Sequence, residues 1–357
     1  MRRLKRLKSV FCIAAAVLLS GCFGGREVNK RSFVQIIAVE RNDEIYSVGL
    51  QLFKSESSDG NPDISKANSA SVSGRGITVS EALADAELKA GEELFIGHTK
   101  LLVLGDGLKD PSDEIEALYG ENLSPSCPVV YSRVPSEITD TMLTEGIFSA
   151  EKIISTMETY VNSGKCVYTA AAEISEAAGV TDSAFPLPAV YSDGKELYFS
   201  GAVLGNSQGI HGSIPESDMN GMVILSDSFP KDGRINISSE INGVTAAAEI
   251  VEAKCVKKAS NDGGRLVIDA EIRLKIRVND NGHKTDEKRI GNAVCENIKD
   301  AVISAFSTAV WYNGCDIFGI GKLVRRDCSE MAEAVADPES GVLKDSVLNV
   351  SVYGESV

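Results

Sequence analysis

A cysteine thiol, a serine in a Gly-x-Ser-x-Gly frame and three histidines are the residues of this chain whose types could carry chemistry. Cys22 ends the stretch Leu19-Ser20-Gly21-Cys22. A small residue ahead of a thiol, behind a basic and then apolar leader, is the arrangement in which the sulfur is alkylated with diacylglycerol and the chain is cut beside it. The leader supplies Arg2, Arg3, Lys5, Arg6 and Lys8, then an apolar run from Val10 to Leu19 that is too short to span a bilayer. The spacing therefore predicts removal of residues 1–21 and a mature chain that starts at a diacylglycerol-modified, N-acylated Cys22. More than one acyl chain holds such a protein stably at a membrane surface. Only Phe23 to Lys30 separate that anchor from the first strand-like segment, a reach of at most about 28 Å.

The other candidates lack the surroundings their chemistry needs. Gly205-Asn206-Ser207-Gln208-Gly209 matches a hydrolase nucleophile elbow, which requires a helix directly after the serine. Ile210 to Pro215 is turn-rich, so the frame predicts a tight turn, with His211 a turn or surface residue. His98 and His283 have no histidine four residues away, and no HExxH occurs. Gly74-Arg75-Gly76 places Val79 where a dinucleotide turn needs its third glycine. Cys127, Cys166, Cys255, Cys295, Cys315 and Cys328 show no CxxC and no histidine at ligand spacing, so no metal site is predicted. Outside the cytoplasm these six thiols could form disulfides in any of 15 pairings, or could be small buried side chains. The pattern predicts a non-catalytic chain with no cofactor besides the lipid.

Charge excludes a further class. The chain carries 36 basic and 51 acidic residues, and loss of the leader's five basic residues leaves a formal charge of −20. Such a surface repels polyanions, and no basic run offsets it, so nucleic acid is not a predicted partner.

The elements that would position these residues fall into two kinds. Phe33 to Val39, a turn at Arg41 to Glu44 and the alternation of Tyr46, Val48, Leu50 and Leu52 read as a hairpin. Lys54 to Ser73 reads as a polar loop or edge. Thr78-x-x-Glu81 is a capping box for a helix ending near Gly91. A buried strand at Leu101 to Leu104 and a helix from Asp110-Pro111 to Gly120 follow, then a short strand at Val129 to Val134. Helices from Ser149 to Tyr160 and from Thr169 to Ala178 lead to Phe185-Pro186-Leu187-Pro188, read as a joint.

Beyond Tyr191 the pattern is β-rich, with strands expected at Leu197 to Leu204 and Met222 to Leu225. Leu266 to Val278 alternates strictly between apolar and charged residues, and Asn261-Asp262-Gly263-Gly264 turns it back on Ala246 to Lys257. A helix from about Asp286 to Tyr312 and a last strand at Val347 to Tyr353 complete a two-layer domain of antiparallel strands. The expected fold is α+β and multi-domain, a lipid-anchored ectodomain of mixed sheets covered by helices. After the leader come residues 22–190, an α+β region of two subdomains, and residues 191–357, a C-terminal α+β domain.

Two separated stretches resemble the Ger(x)C lipoproteins, the C subunits of spore germinant receptors. Gly21-Cys22, Arg26-Glu27-Val28-Asn29 and the apolar Phe33 to Val39 are similar to that family's post-lipobox pattern, and Leu94 to Gly105 to its segment with a histidine and a lysine before a strand. Asp316-Ile317-Phe318-Gly319-Ile320-Gly321 is similar to its Asp-Ile/Phe-Phe-Gly-Phe-Gly motif. The resemblance implies a non-enzymatic subunit lipid-anchored at the outer face of the spore inner membrane. It would work in nutrient-triggered germination with two integral membrane subunits of the A and B types, and direct nutrient binding stays open. Asp316, Phe318, Gly319 and Gly321, with His98 and Lys100, are the partner-contact candidates; a helix-to-loop brace is the structural reading of the first four. The competing class is a solute-binding lipoprotein of a transport system, which requires two similar lobes.

Overall fold

The computed structural model describes residues 31–54, 68–144, 149–178, 184–192, 196–241, 244–280 and 286–357. Cys22 and His283 lie outside the described residues, as do residues 1–21, read above as a leader.

The first hairpin forms as its alternation demands. β1 (Arg31–Asn42) and β2 (Ile45–Lys54) pair antiparallel around Asp43, whose φ of 55° makes the tight reversal, and β1 carries a bulge between Val34 and Ile36. Part of the stretch read as a polar loop or edge is an edge strand, β3 (Asn68–Gly76), paired with β2 from Lys54↔Asn68 to Tyr46↔Gly76. Its Ser and Gly residues carry little strand propensity, and pairing along β2 overrides it. Gly74 is required there, because a Cβ would come within 1.9 Å of the Ala82 carbonyl oxygen on the helix packed against it. The Gly74-Arg75-Gly76 stretch thus lets a helix lie close to a strand.

That helix is α1 (Val79–Ala90). Thr78 Oγ1 accepts from Glu81 N at 3.1 Å, Glu81 Oε2 accepts from Ile77 N at 3.0 Å, and Gly91 closes the end at φ 70°. The chain returns through β4 (Glu93–Phe95) to β5 (Leu101–Leu104), both parallel to β1. α2 (Pro111–Gly120), capped by Asp110, leads to β6 (Val129–Tyr131), parallel to β5. α3 (Pro135–Thr144), α4 (Ser149–Asn162) and α5 (Ala171–Ala178) precede β7 (Phe185–Ser192), β8 (Leu197–Asn206) and β9 (Gly209–Ile214).

These strands make one sheet in the order β3-β2-β1-β5-β6-β7-β8-β9, with β4 beside β1. α1, α2 and α5 pack on one face and α3 and α4 on the other, giving three layers. Phe185 to Pro188 is therefore strand, where a joint was expected. β6 meets β7 only at Tyr131↔Ala189, so the two prolines sit where few ladder bonds are asked of them. Residues 190 and 191, at which the sequence reading divides the chain, both lie in β7.

The second sheet has the order β10-β11-β12-β13, formed by β10 (Ile235–Ile241), β11 (Val244–Asp262), β12 (Arg265–Asp280) and β13 (Val347–Ser356). β11 and β12 turn at Gly263-Gly264 as the alternation predicts, whereas β13 joins β12 in parallel rather than antiparallel. α7 (Glu287–Phe306), continued by a π-helical turn at Ser307–Tyr312, lays Ile290, Val294, Ile298, Val302 and Ala305 on this sheet. Met222 to Leu225, expected as a strand, belongs to α6 (Met219–Leu225); a short apolar run buried all round satisfies either periodicity. Gly221 allows α6 to touch α7, since a Cβ there would fall 2.2 Å from the Ala301 backbone. α8 (Ile320–Asp327) and α9 (Ala332–Ala336) close the end of the domain.

The six cysteines among the described residues are all free thiols, five of them buried and Cys295 half-buried. Among the described residues no helix is long and apolar enough to cross a membrane.

Candidate functional site

The 316–321 stretch sits where α7 ends and α8 begins. Asp316 Oδ1 accepts from Ile320 N and Oδ2 from Gly321 N, each at 2.7 Å, so the carboxylate occupies orphan donors of the α8 start. Gly319 holds φ 71°, a left-handed geometry that glycine adopts without a Cβ penalty. Phe318 is buried and stacks on Phe306 at 5.8 Å, and Phe306 meets Trp311 edge-on at 5.4 Å. Lys257, reaching from β11, donates through Nζ to the carbonyls of Leu225 and Phe318, both at 2.8 Å.

Two partly buried charges are thus brought near each other. Burial raises the Asp316 carboxyl above its ordinary range, while the Gly321 and Ile320 amides and Lys257 pull it back. Burial likewise lowers Lys257, against nearby Cys255, Asp316 and Asp227. Asp316 and Gly321 are half-buried and Gly319 is exposed. The side-chain bonds of the motif run inward and tie α6, α8 and β11 together. Lys257, which completes the brace, carries no signal in the sequence, standing on a strand with two other lysines, Lys254 and Lys258.

His98 and Lys100 lie elsewhere. A 3₁₀ turn (Ile96–His98) between β4 and β5 presents His98 at the surface, with its ring 5.2 Å from Phe95 and 5.8 Å from Phe33. Lys100 is exposed, and its backbone N–H bonds Gln35 O at 2.9 Å. Both lie at the end of the first sheet where β1 starts, beside its central strands. The structure does not bring them together with the 316–321 motif, which braces the second sheet.

Ser207 stands in the turn between β8 and β9, exposed and followed by a strand rather than a helix. His211 lies on β9 and its Nε2 meets Asn206 Oδ1 at 3.1 Å, so it does not serve the serine. Among the described residues no group of three or more His, Cys, Asp or Glu side chains could hold a metal ion.

One buried cluster was not legible in sequence. Glu114, 2% exposed at the start of α2, accepts a 2.8 Å bond from Tyr46 Oη, and Arg41 lies 5.1 Å over the Tyr46 ring. Burial pushes the Glu114 carboxyl up to about 7, against the lowering effect of the Tyr46 bond, and pushes the Tyr46 hydroxyl up to about 12. In a chain with 51 acidic residues nothing marks this one before folding places it.

Two family models match the chain: the spore germination protein N-terminal domain over residues 24–178, and the spore germination B3/GerAC-like C-terminal domain over residues 200–352. A solved structure described as the crystal structure of the GerBC protein shares the fold, with a TM-score of 0.59 at 13% identity over 90% of this chain and 96% of that one. No curated protein matches.

Proposed function

The chain belongs to the Ger(x)C family of spore germination proteins, and from that premise we propose that it is the non-catalytic, lipid-anchored subunit of a nutrient germinant receptor. In this reading Cys22 carries the acyl chains and holds the folded body at the outer face of the inner spore membrane. There it works beside two integral membrane subunits.

The observation that carries the reading is the succession of both family models along nearly the whole mature chain. Two features are consistent with it. The Ser207 frame is followed by a strand where a nucleophile elbow needs a helix, and His211 turns its Nε2 to Asn206. The motif at 316–321 directs its polar atoms into the protein, as a brace does.

Affinity capture of the full-length protein from spore membranes tests this assignment. Recovery of two multi-span proteins is expected, together with palmitate labelling that disappears in Cys22→Ala. Normal nutrient-triggered germination after deletion of the gene, or equal labelling of Cys22→Ala, would overturn it.

A further inference from the structure

The second sheet ends differently at its two edges. At β10 the inward side chains Ile235 and Ile237 are buried. The chain after α4 closes that side: Arg234 N donates to Asn162 O at 2.8 Å, and a Cβ on Gly164 would fall 2.6 Å from Ile235 Cδ1. At β13 the inward side chains Leu348, Val350 and Val352 pack against the core under α7 but stay half-buried. Cys295 of α7, half-buried as well, reaches Gly354, where a Cβ would come within 2.9 Å of Sγ. Among the described residues no strand pairs with the outer side of β13.

An edge strand presents backbone donors and acceptors to which a further strand can bond, and natural edges are blunted by lysines, prolines, bulges or shortness. β13 has none of these devices. It runs for ten residues, pairs with β12 from Val267↔Val347 to Ile276↔Ser356 without a register shift, and carries one charge, Glu355. Val347, Val350, Val352 and Tyr353 favour the extended conformation. A strand is what completes such an edge, and the half-covered row of Leu348, Val350 and Val352 requires it to bring apolar side chains on the α7 side.

We propose that this strand is β13 of a second copy of the chain, paired antiparallel about a two-fold axis at Ser351, so that two four-stranded sheets become one of eight strands. Residues directly opposed in an antiparallel pair share a face. Centring the pair on Ser351 sets Val350 against Val352 on the α7 side, Asn349 against Tyr353 on the open side, and Glu355 against Val347. No like charges meet. In a chain of formal charge −15, charged surfaces repel a second copy, and this uncharged strand does not. One patch then serves both partners, as a closed symmetric dimer requires. The proposal goes beyond the receptor assignment and does not rest on it.

Sedimentation equilibrium of the full-length protein in density-matched detergent tests it. A strand pair of this length is a small interface, so a monomer–dimer equilibrium in the micromolar range is expected. Ser351→Lys opposes two ammonium groups at the axis, while Glu271, beside Ser351 on β12, accommodates the lysine within one chain. It should weaken dimerisation by about tenfold or more and leave the melting curve unchanged. Mixing Ser351→Lys with Ser351→Glu should restore a dimer of the two variants. Ser351→Cys, oxidised with diamide, should give more disulfide-linked dimer than the unaltered chain. A monomer at every concentration, whether the edge then stays bare or takes a strand from another protein, overturns the proposal. So does a Ser351→Lys variant that dimerises as tightly as the unaltered chain, or a Ser351→Cys variant that cross-links no more than it does. Sedimentation of the unaltered chain needs no variant to fold.

Discussion

The nine-stranded sheet has helices on both faces, whereas the four-stranded sheet has α7 on one face and water on the other. Strand composition follows this difference. Leu101 to Leu104 are buried without alternation, as a strand between two helical layers requires. β12 buries Leu266, Ile268, Ala270, Ile272, Leu274 and Ile276 and turns charges outward between them. Those charges pair across and along the strands: Lys275 with Glu252 at 2.6 Å, Arg277 with Glu249 at 3.1 Å, Arg273 with Glu271 at 2.6 Å. The comparison teaches that tolerance to substitution depends on how many layers cover a position. A residue between two layers has no aqueous alternative, and one on the open face exchanges a partner for solvent.

The largest test falls on the covered side of the second sheet. Phe318→Ala removes a ring stacked on Phe306 and should cost about 3–5 kcal/mol. Denaturant unfolding followed by the fluorescence of Trp311, the single tryptophan, reads this region directly. A cost under about 1 kcal/mol would show the motif to be a surface feature and break the brace reading.

Glu114 probes the first sheet's covered face by pH. Its folded carboxyl titrates at about 7, above the ordinary 4.5, so the folded state holds a proton that the unfolded chain has released. Stability should therefore fall as pH rises from about 4.5 to about 7, by up to about 3 kcal/mol. Glu114→Gln should flatten that slope and make the chain more stable than wild type at pH 8. An unchanged slope in the variant would assign the pH dependence to other groups.

Gly319 and Gly321 differ by conformation rather than space. Gly319→Ala should cost about 1–2 kcal/mol, because an L side chain is strained at φ 71°. Gly321→Ala should be nearly neutral, its Cβ meeting Asp316 Oδ2 at an ordinary 3.5 Å. Equal losses in chemical denaturation would mean that crowding, not backbone conformation, makes the first glycine necessary. The smallest effect belongs to the open face: Arg273→Ala should leave the melting temperature unchanged, because exposed pairs are screened by water and salt.

Much of this architecture was legible because its signals are local. Thr78 and Glu81 cap α1 through bonds within one turn, Gly263-Gly264 closes a hairpin between neighbouring strands, and the alternation from Leu266 to Val278 needs only one wet face. The site was less legible. The six-residue motif announced itself by resemblance, but its partner Lys257 lies 59 positions before Asp316 and only folding brings the two together. The β8–β9 turn at residues 206–209 was visible only as a serine frame without catalytic surroundings.

By itself the sequence determined where the chain alternates, where it caps and turns, and that a basic and then apolar stretch runs into Leu19-Ser20-Gly21-Cys22. Tertiary structure alone decided that residues 68–76 pair along β2, that Met222 to Leu225 coil as a helix, that β13 runs parallel to β12, and that Lys257 reaches the 316–321 segment. Local signals follow from backbone geometry over a few residues. A short apolar run or a lone charge gains the same burial in several local conformations, and only the distant surface packed against it selects one.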